Sequence, residues 1–248
     1  MKPIALITGA TSGIGEATAK LLAKDYSLIL CGRRSERLAK LKSELPTDVL
    51  TLPFDVRDKK AVFDSIENLP EQWTKIDVLI NNAGNAHGLS KIQEGDIDDW
   101  DAMMDINVKG LLYVSKAILQ GMIERKSGQI INIGSVAGIE VYPNGNVYCA
   151  SKHAVDAITK GMRLDLNGLG IRVCSINPGL VETEFSEVRF KGDKERAASV
   201  YQGFDALQAQ DIAETIAFVL SRPAHVNIAD LLIFPTAQAN STIVSRKG

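Results

Sequence analysis

A glycine-rich turn between the first apolar run and the first helical pattern is the feature that most constrains this chain. Ile4–Thr8 is short and apolar, as a buried strand is, and helical periodicity begins at Gly13. Gly9, Gly13 and Gly15 follow the spacing Gly-x-x-x-Gly-x-Gly. Glycines at such a turn permit a tight bend and a close approach of the backbone to a pyrophosphate, which the helix N-terminus binds through its N–H groups. The turn predicts a dinucleotide site; the alternative is a helix that needs glycine only to pack on a sheet.

Strand and helix patterns alternate along the rest of the chain. Apolar runs indicate seven strands, at residues 4–8, 28–31, 49–52, 77–81, 130–133, 172–177 and 228–234. Helical periodicity indicates helices at residues 13–24, 36–45, 58–68, 98–125, 148–169 and 211–221, the fourth of them interrupted near Asn107. This alternation predicts an α/β fold, with residues 1–248 forming a single Rossmann-type, doubly wound domain whose helices cover both faces of a seven-stranded parallel sheet. The long, charged segment 180–208 is expected to be a substrate loop or lid.

Composition excludes several classes of protein. The chain has 248 residues, 45% of them hydrophobic, and a net charge of −2, so neither nucleic acid nor an anionic membrane surface is an expected partner. The sequence contains no run of about 20 apolar residues, so no membrane span is predicted. Cys31, Cys149 and Cys174 are odd in number and widely spaced, which fits reduced thiols in a cytoplasmic protein. The histidines lie in no zinc-like spacing, so no metal is expected.

The residues after the second predicted strand indicate which dinucleotide is bound. A site for NAD usually places Asp or Glu there, to accept from the ribose hydroxyls. Here Arg33 and Arg34 follow Gly32, and the first acid is Glu36, inside the next helix. A guanidinium forms forked, charge-assisted hydrogen bonds with a phosphate. NADP is therefore the expected cofactor, with Arg33 and beside it Arg34 binding its 2′-phosphate; the alternative is a pair of solvated arginines.

A second group of polar residues surrounds the fifth predicted strand. Ser135 directly follows that strand, where a hydroxyl could polarise a carbonyl. Tyr148 and Lys152 are four residues apart, which puts them on one face of a helix. An ammonium beside a phenol favours the phenolate, so the tyrosine becomes a usable proton donor or acceptor nearer to neutral pH. Any helix surface can carry such a pair by chance, so its weight depends on the nucleotide-binding pattern around it.

Together these motifs resemble the short-chain dehydrogenase/reductase superfamily over essentially the whole chain. They occur in that family's order and spacing: Thr8-Gly-x-x-x-Gly-x-Gly15, Asn81-Asn-Ala-Gly84, Asn107, Ser135, Tyr148-x-x-x-Lys152 and Pro178-Gly179. The resemblance implies that Tyr148 is the acid in carbonyl reduction and the base in alcohol oxidation, and that Lys152 lowers the tyrosine pKa and binds the nicotinamide ribose. It further implies that Ser135 holds the substrate oxygen and that Asn107 holds a water in a proton relay.

The resemblance also implies which residues bind the cofactor. Asp55 and Val56 would contact the adenine, residues 81–84 the middle of the cofactor, and residues 178–183 the pyrophosphate and the carboxamide. With the glycine turn, the arginines and the catalytic pair, the expected cofactor-binding residues are Gly9, Thr11, Ser12, Gly13, Ile14, Gly15, Arg33, Arg34, Asp55, Val56, Asn82, Ala83, Gly84, Tyr148, Lys152, Pro178, Gly179, Val181 and Thr183.

Segments outside the shared cofactor machinery resemble one branch of the superfamily, the bacterial and yeast NADP-dependent 3-hydroxy acid dehydrogenases. They include residues 188–193 (VRFKGD) and 222–228 (RPAHVNI). The resemblance implies oxidation of serine, allo-threonine or 3-hydroxyisobutyrate, and reduction of semialdehydes in the reverse direction. Glu140 and Val141 depart from that branch, in which Trp or another bulky residue is expected, and the departure bears on the shape of the substrate pocket.

A small hydroxy acid needs a cation for its carboxylate. The charged segment carries Arg189, Lys191 and Arg196, of which Arg189 is the expected ligand because the segment should fold over the nicotinamide end. Ser135 and Tyr148 complete the expected substrate-binding set. The alternative for these cations is a solvated charge run or a salt-bridge network.

Two other functions stay open. One is a reductase of larger ketone, sugar or acyl-thioester substrates, and the other is a catalytically silent NADPH-binding scaffold or sensor. The complete catalytic set argues against a silent scaffold, which would not need it. Residues 108–123 are apolar over more than one helical stripe, and this pattern together with the family resemblance predicts a homotetramer.

Overall fold

A seven-stranded parallel sheet is the centre of the computed structural model, which describes residues 2–247. In chain order the strands are β1 (Ile4–Thr8), β2 (Ser27–Cys31), β3 (Val49–Leu52), β4 (Ile76–Asn81), β5 (Gly128–Ile133), β6 (Ile171–Pro178), β7 (Val181–Glu182), β8 (Leu207–Gln208) and β9 (Asp230–Ile233). The central sheet has the order β3-β2-β1-β4-β5-β6-β9, and β7 pairs separately with β8. The strand order reverses between β1 and β4, which is where open α/β sheets bind ligands.

Helices connect the strands of the sheet. They are α1 (Gly13–Leu22), α2 (Ser35–Glu44), α3 (Lys59–Glu67), α4 (Ile97–Met104), α5 (Leu111–Arg125), α6 (Asn146–Asp165), α7 (Phe185–Arg189), α8 (Lys194–Ser199) and α9 (Ala209–Leu220). The interruption expected near Asn107 is confirmed, because α4 and α5 are joined by a π-helical turn at Asp105–Gly110. Within residues 2–247, no helix is both long enough and apolar enough to cross a bilayer.

Two apolar cores lie on opposite faces of the sheet. Ile7 of β1 packs in one core with Leu22 of α1 and Ile216 of α9. Leu6, the preceding residue of the strand, packs in the other core with Val114 of α5. Successive residues of a strand point to opposite faces, so a strand that is apolar without alternation needs cover on both sides. The expected doubly wound α/β fold is thus confirmed.

The segment 180–208, expected to be a loop or lid, folds into the short elements β7, α7, α8 and β8. With five and six residues, α7 and α8 are too short to show a helical period in the sequence. Tertiary contacts hold them. The Tyr201 hydroxyl donates to the Val181 carbonyl (2.9 Å) and shares a hydrogen bond with the Ser186 hydroxyl (2.7 Å).

Candidate active site

A cavity of about 460 Å3 opens at the carboxyl ends of the strands, a volume typical of small-molecule sites. Nearly all residues expected to bind cofactor or substrate line it. The exceptions are Gly15 and Asn107, which contact the lining residues Gly9 and Asn85 from behind. Those on the wall are Gly9, Thr11, Ser12, Gly13, Ile14, Arg33, Arg34, Asp55, Val56, Asn82, Ala83, Gly84, Ser135, Tyr148, Lys152, Pro178, Gly179, Val181, Thr183 and Arg189.

The glycine turn takes a backbone shape that other residues disfavour. Gly9 and Gly13 have φ angles of +66° and +53°, in the left-handed region that glycine adopts without strain. A Cβ on Gly15 would lie 2.4 Å from the carbonyl oxygen of Gly9, so this glycine allows α1 to approach the turn. The side-chain amide of Asn82, after β4, donates to the carbonyls of Thr8 (2.9 Å) and Gly9 (3.2 Å). The turn is therefore fixed to the neighbouring strand.

The N-terminus of α1 is open towards the cavity. Ser12 occupies the N-cap position, and its side chain makes no capping hydrogen bond. The first N–H groups of the helix and the positive end of its dipole can therefore serve an anionic group. The residues present thus fit the pyrophosphate of a dinucleotide.

The two arginines after β2 have different surroundings. The Arg33 side chain is 62% exposed, and the carboxylate nearest to it is 3.8 Å away. Arg34 is bound by protein groups: it donates to the hydroxyls of Thr11 (3.0 Å) and Ser12 (2.8 Å) and forms an ion pair with Glu184 (2.9 Å). Arg33 can therefore turn to a 2′-phosphate, whereas most N–H groups of Arg34 bind protein atoms.

Tyr148 and Lys152 lie one turn apart on α6, as their spacing predicts. Both are buried, with 8% and 7% of their surface exposed. The Lys152 ammonium donates to the carbonyl of Ile133 (2.9 Å), the last residue of β5. Burial lowers the pKa of Lys152 to about 8, because a cation is less stable away from water. The lysine therefore titrates close to physiological pH.

The surroundings of Tyr148 favour the neutral phenol. Burial raises its pKa, and Tyr142 adds to the rise, whereas the Arg189 guanidinium and a hydrogen bond with Ser135 oppose it. The lowered pKa that the family resemblance implies is not produced by these groups. It stays a prediction for the complex with oxidised cofactor, whose nicotinamide ring is a further cation.

Ser135 and Asn107 are held by hydrogen bonds. Ser135 caps a short 3-10 turn after β5, and its Oγ accepts from the N–H of Ala137 (3.1 Å). The side-chain amide of Asn107 donates to the Asn85 carbonyl (2.8 Å) and the Ser151 hydroxyl (3.0 Å), which uses both of its N–H groups. A water held by Asn107 would therefore have to donate to an oxygen of this residue, such as its main-chain carbonyl oxygen.

Arg189 lies over the ring of Tyr148. Its guanidinium carbon is 4.9 Å from the ring centroid of Tyr148 and 5.6 Å from the centroids of Tyr142 and Phe185. It donates to the Tyr142 hydroxyl, while its buried Nε has no hydrogen-bond partner within residues 2–247. Leaving a buried, charged N–H unpaired costs free energy, and the side chain of Arg189 lines the cavity, where an oxygen atom of a ligand could approach its guanidinium.

The other two cations of the charged segment turn elsewhere. Lys191 forms ion pairs with Asp99 (3.0 Å) and Asp96 (3.4 Å). The guanidinium carbon of Arg196 is 4.3 Å from the ring centroid of Phe190, and its side chain is exposed. Of the three candidates, Arg189 alone lines the cavity.

Sequence patterns did not identify Tyr142, Phe185 or Glu184, which also line the cavity. Tyr142 belongs to the stretch after Ser135 whose role in pocket shape the sequence left open, and residue type alone gave no signal for the other two. Glu140, the noted departure from the 3-hydroxy acid branch, accepts from the N–H of Ser241 (2.8 Å). Its side chain therefore binds the C-terminal tail.

Within residues 2–247, no cluster of three or more His, Cys, Asp or Glu side chains could hold a metal ion.

Comparison with known proteins gives concordant matches. The model of the short chain dehydrogenase family matches residues 3–194. NADP-dependent 3-hydroxy acid dehydrogenase YdfG of Salmonella typhi is 48% identical over 238 residues, which are 95% of this chain and 96% of the relative. Sulfoacetaldehyde reductase 2 of Chromohalobacter salexigens is 46% identical over 243 residues, 96% of each chain. Among solved structures, the closed form of serine dehydrogenase complexed with NADP+ has a TM-score of 0.94 and 44% identity, covering 97% of this chain and 98% of its own.

Proposed function

This chain belongs to the short chain dehydrogenase family, and on that basis we propose that it is an NADP-dependent oxidoreductase of small 3-hydroxy acids. It transfers hydride between nicotinamide and the hydroxyl-bearing carbon of substrates such as serine, allo-threonine or 3-hydroxyisobutyrate. In reverse it reduces the corresponding semialdehydes. The names of similar proteins support this activity, because one is a 3-hydroxy acid dehydrogenase and another a serine dehydrogenase.

The observation that carries the substrate class is the position of Arg189. Its guanidinium carbon is 4.9 Å from the ring centroid of Tyr148, and its buried Nε is unpaired within residues 2–247. A carboxylate on the carbon next to the reacting one is close enough to be bound there while the hydroxyl meets the phenol. Arg is suited to this task because its planar fork matches the two oxygens of a carboxylate.

Tyr148 and Ser135 act on the substrate oxygen. In oxidation, Tyr148 takes the hydroxyl proton as the carbon loses hydride; in reduction, Tyr148 returns that proton to the carbonyl oxygen. Ser135 donates to the same oxygen and stabilises the charge that develops on it. The cofactor, when bound, supplies the hydride acceptor in oxidation and the hydride donor in reduction.

Lys152 and Asn107 support the proton transfer. A protonated Lys152, one turn from Tyr148 on α6, makes the phenolate less costly. Asn107 holds residue 85 against α6 through two hydrogen bonds of 2.8 Å to Asn85 and one of 3.0 Å to Ser151. These hydrogen bonds hold Asn85, Asn107 and Ser151 in place next to Lys152. A proton relay from Lys152 to solvent would pass along these residues.

The cofactor is NADP, and the residues that would hold it divide by chemistry. The turn at residues 9–15 offers N–H donors to the pyrophosphate, and Arg33 offers its exposed guanidinium to the 2′-phosphate. Lys152 can reach a ribose hydroxyl with N–H groups beyond the one bound to Ile133.

A substrate panel tests the proposal. The expected result is NADP-dependent oxidation of serine, allo-threonine and 3-hydroxyisobutyrate, followed by NADPH absorbance, with little turnover of bulky ketones, sugars or acyl-thioesters. Strong activity on those larger carbonyls with none on hydroxy acids would favour the alternative reductase. Tight NADPH binding with no turnover of any substrate would favour a non-catalytic scaffold.

Small sulfonates belong in the same panel, since a guanidinium also binds a sulfonate and one similar protein is a sulfoacetaldehyde reductase. The guanidinium fork matches a carboxylate and a tetrahedral oxyanion alike, so the reason to favour a carboxylate is the similarity to a 3-hydroxy acid dehydrogenase and a serine dehydrogenase. We expect a higher kcat/KM with semialdehydes that carry a carboxylate than with sulfoacetaldehyde. The reverse order would assign the chain to sulfonate metabolism.

Assembly and compartment complete the proposal. A homotetramer is supported by α5, which has a buried stripe and yet leaves Leu112 40% exposed. Light scattering during gel filtration is expected to give four times the chain mass, and a monomer would contradict this part.

A cytoplasmic location is supported by three free, buried thiols, Cys31, Cys149 and Cys174.

A further inference from the structure

A cluster of three charged residues joins the nucleotide-binding turn to the substrate segment; we name it the Glu184 cluster. The two carboxylate oxygens of Glu184 bind Arg34 (2.9 Å) and Arg37 (2.7 Å). Arg34 also donates to the hydroxyls of Thr11 (3.0 Å) and Ser12 (2.8 Å) in the glycine turn. The cluster thus connects the turn before α1, the start of α2 and the residue before α7.

The helix α7 is anchored at both ends. Its five residues follow Glu184 and end at Arg189, whose carbonyl accepts from the N–H of Gly88 (2.9 Å) beyond β4. A helix of one to two turns has no stability of its own, so its place depends on such anchors. The Glu184 cluster at one end and Gly88 at the other therefore contribute to the position of the Arg189 guanidinium, together with the hydrogen bond between Ser186 and Tyr201.

Most N–H groups of Arg34 are hydrogen-bonded to other protein groups. A guanidinium has five N–H donors, and Arg34 makes four hydrogen bonds with Thr11, Ser12 and Glu184. Little is left for a forked contact with a phosphate. The neighbouring Arg33 is 62% exposed and keeps that capacity.

We propose that Glu184 is a positioning residue. By binding Arg34 and Arg37 it sets the place of α7, and so holds the Arg189 guanidinium over the ring of Tyr148. The nucleotide-binding end of the site in this way controls how well the substrate end binds an anion. The claim about substrate binding rests on the proposed function, whereas the claim about the position of α7 does not.

The size of the effect follows from exposure. The side chains of the cluster are between 41% and 48% exposed, so each ion pair is partly screened by water and salt. Loss of the cluster is expected to raise KM for the hydroxy acid by about three- to tenfold, while kcat stays within about twofold. The increase in KM is expected to shrink at high ionic strength, where the cluster is already weakened in the unaltered protein.

Kinetics of single and double variants test the coupling. Glu184→Gln breaks both ion pairs of the cluster and Arg37→Gln only one, so Arg37→Gln is expected to raise KM by a smaller factor, and the double variant is expected to be no worse than Glu184→Gln alone. Glu187→Gln is the matched control, since it removes the same charge from an exposed position of α7 that forms no ion pair within residues 2–247. An unchanged KM in Glu184→Gln, or additive effects in the double variant, overturns the proposal.

A second outcome would also overturn it. If Glu184 merely occupied the place of the 2′-phosphate, Glu184→Gln would tighten NADPH binding and leave KM for the hydroxy acid unchanged. Fluorescence titration with NADPH measures this directly. The positioning role predicts NADPH affinity that is unchanged or weaker.

Limited proteolysis separates this proposal from the proposed function. Trypsin is expected to cut after Arg189 and Lys191 several times faster in Glu184→Gln than in the unaltered protein or in Glu187→Gln, and mass spectrometry identifies the sites. Equal cleavage rates overturn the positioning role, whatever the substrate is. Faster cleavage in a protein that oxidises no hydroxy acid would instead reject the proposed function and retain the anchoring of α7.

Discussion

The nucleotide-binding side and the substrate side of the cavity are built in different ways. On the nucleotide side, main-chain shape makes the surface: two glycines have positive φ, and Asn82 and Thr8 join the ends of β4 and β1 through a hydrogen bond of 2.9 Å. On the substrate side, the anion-binding side chain expected, Arg189, is the last residue of a helix of only five residues. Arg189 is held there by three aromatic rings and one hydroxyl.

The difference shows which part of such an enzyme can change independently. A turn whose glycines contact each other and a neighbouring strand does not accept single replacements without losing its shape. Side chains that stack and form partly exposed ion pairs can be replaced one at a time, at a cost confined to substrate binding. Binding of a dinucleotide is therefore fixed by the fold, whereas the choice between NADP and NAD and the choice of substrate depend on a few side chains.

The largest effect is expected where the two sides meet. Tyr148→Phe removes the hydroxyl proposed to move the proton and leaves the ring on which Arg189 lies, so kcat should fall by about 10²–10⁴-fold while NADPH still binds. Stopped-flow absorbance measures hydride transfer, and fluorescence titration measures binding. Turnover close to that of the unaltered protein would show that another group supplies the proton.

The second-largest expected effect is on cofactor preference, at the nucleotide side of the cavity. Arg33→Ala should lower the preference for NADP over NAD by about 10- to 100-fold, because a charge-assisted contact with the 2′-phosphate is lost. Arg34→Ala should change that preference less, since most donors of Arg34 bind protein groups. Ratios of kcat/KM with the two cofactors measure both. Equal losses in the two variants would reject the division of labour between these arginines.

The sequence predicted the nucleotide side of the cavity more completely than the substrate side. The strand and helix alternation and the glycine turn were predictable because a doubly wound sheet needs apolar runs and a left-handed turn needs glycine. Ser135 was singled out by its place after a strand, and Tyr148 and Lys152 by their helical spacing; their individual roles came from the family resemblance, and the cavity brings the three residues together. The roles of Tyr142, Phe185 and Glu184 were not predictable, because they depend on tertiary contacts between segments distant in sequence.

The stability of the glycine turn gives a smaller effect. Gly15→Ala should lower the free energy of unfolding by about 1–3 kcal/mol, because the new methyl would lie 2.4 Å from the Gly9 carbonyl oxygen. Gly161→Ala, in α6, is the matched control: a Cβ there meets no atom within 4 Å, so stability should rise by about 0.5–1 kcal/mol. Urea unfolding measures both, and a neutral Gly15→Ala would contradict close packing at the turn.

The smallest effect concerns the buried cation and has a defined pH dependence. The pKa of Lys152 is lowered from 10.5 to about 8, so between those values the unfolded chain binds more protons and stability due to this group rises with pH. Lys152→Met should therefore be more stable than the unaltered protein at pH 7, by about 1–2 kcal/mol, and lose that advantage towards pH 10. Its catalysis should fall sharply.

Thermal unfolding at several pH values checks this difference. Lys42→Met, at an exposed position of α2, controls for the removal of one charge. A Lys152→Met protein that is less stable than the unaltered one at pH 7 would show that the ammonium stabilises the fold rather than strains it.

The substrate side is tested most directly by the discrimination between an acid and its neutral analogue. The measurement is the ratio of kcat/KM for 3-hydroxyisobutyrate to that for its methyl ester, with NADP, in the unaltered protein, in Arg189→Ala and in the exposed control Arg196→Ala. We predict a ratio of about 100 or more in the unaltered protein and in Arg196→Ala, and a fall of at least about tenfold in Arg189→Ala, because a charge-assisted pair with the carboxylate is lost. An unchanged ratio in Arg189→Ala would remove Arg189 from the substrate site and contradict the proposed recognition of 3-hydroxy acids.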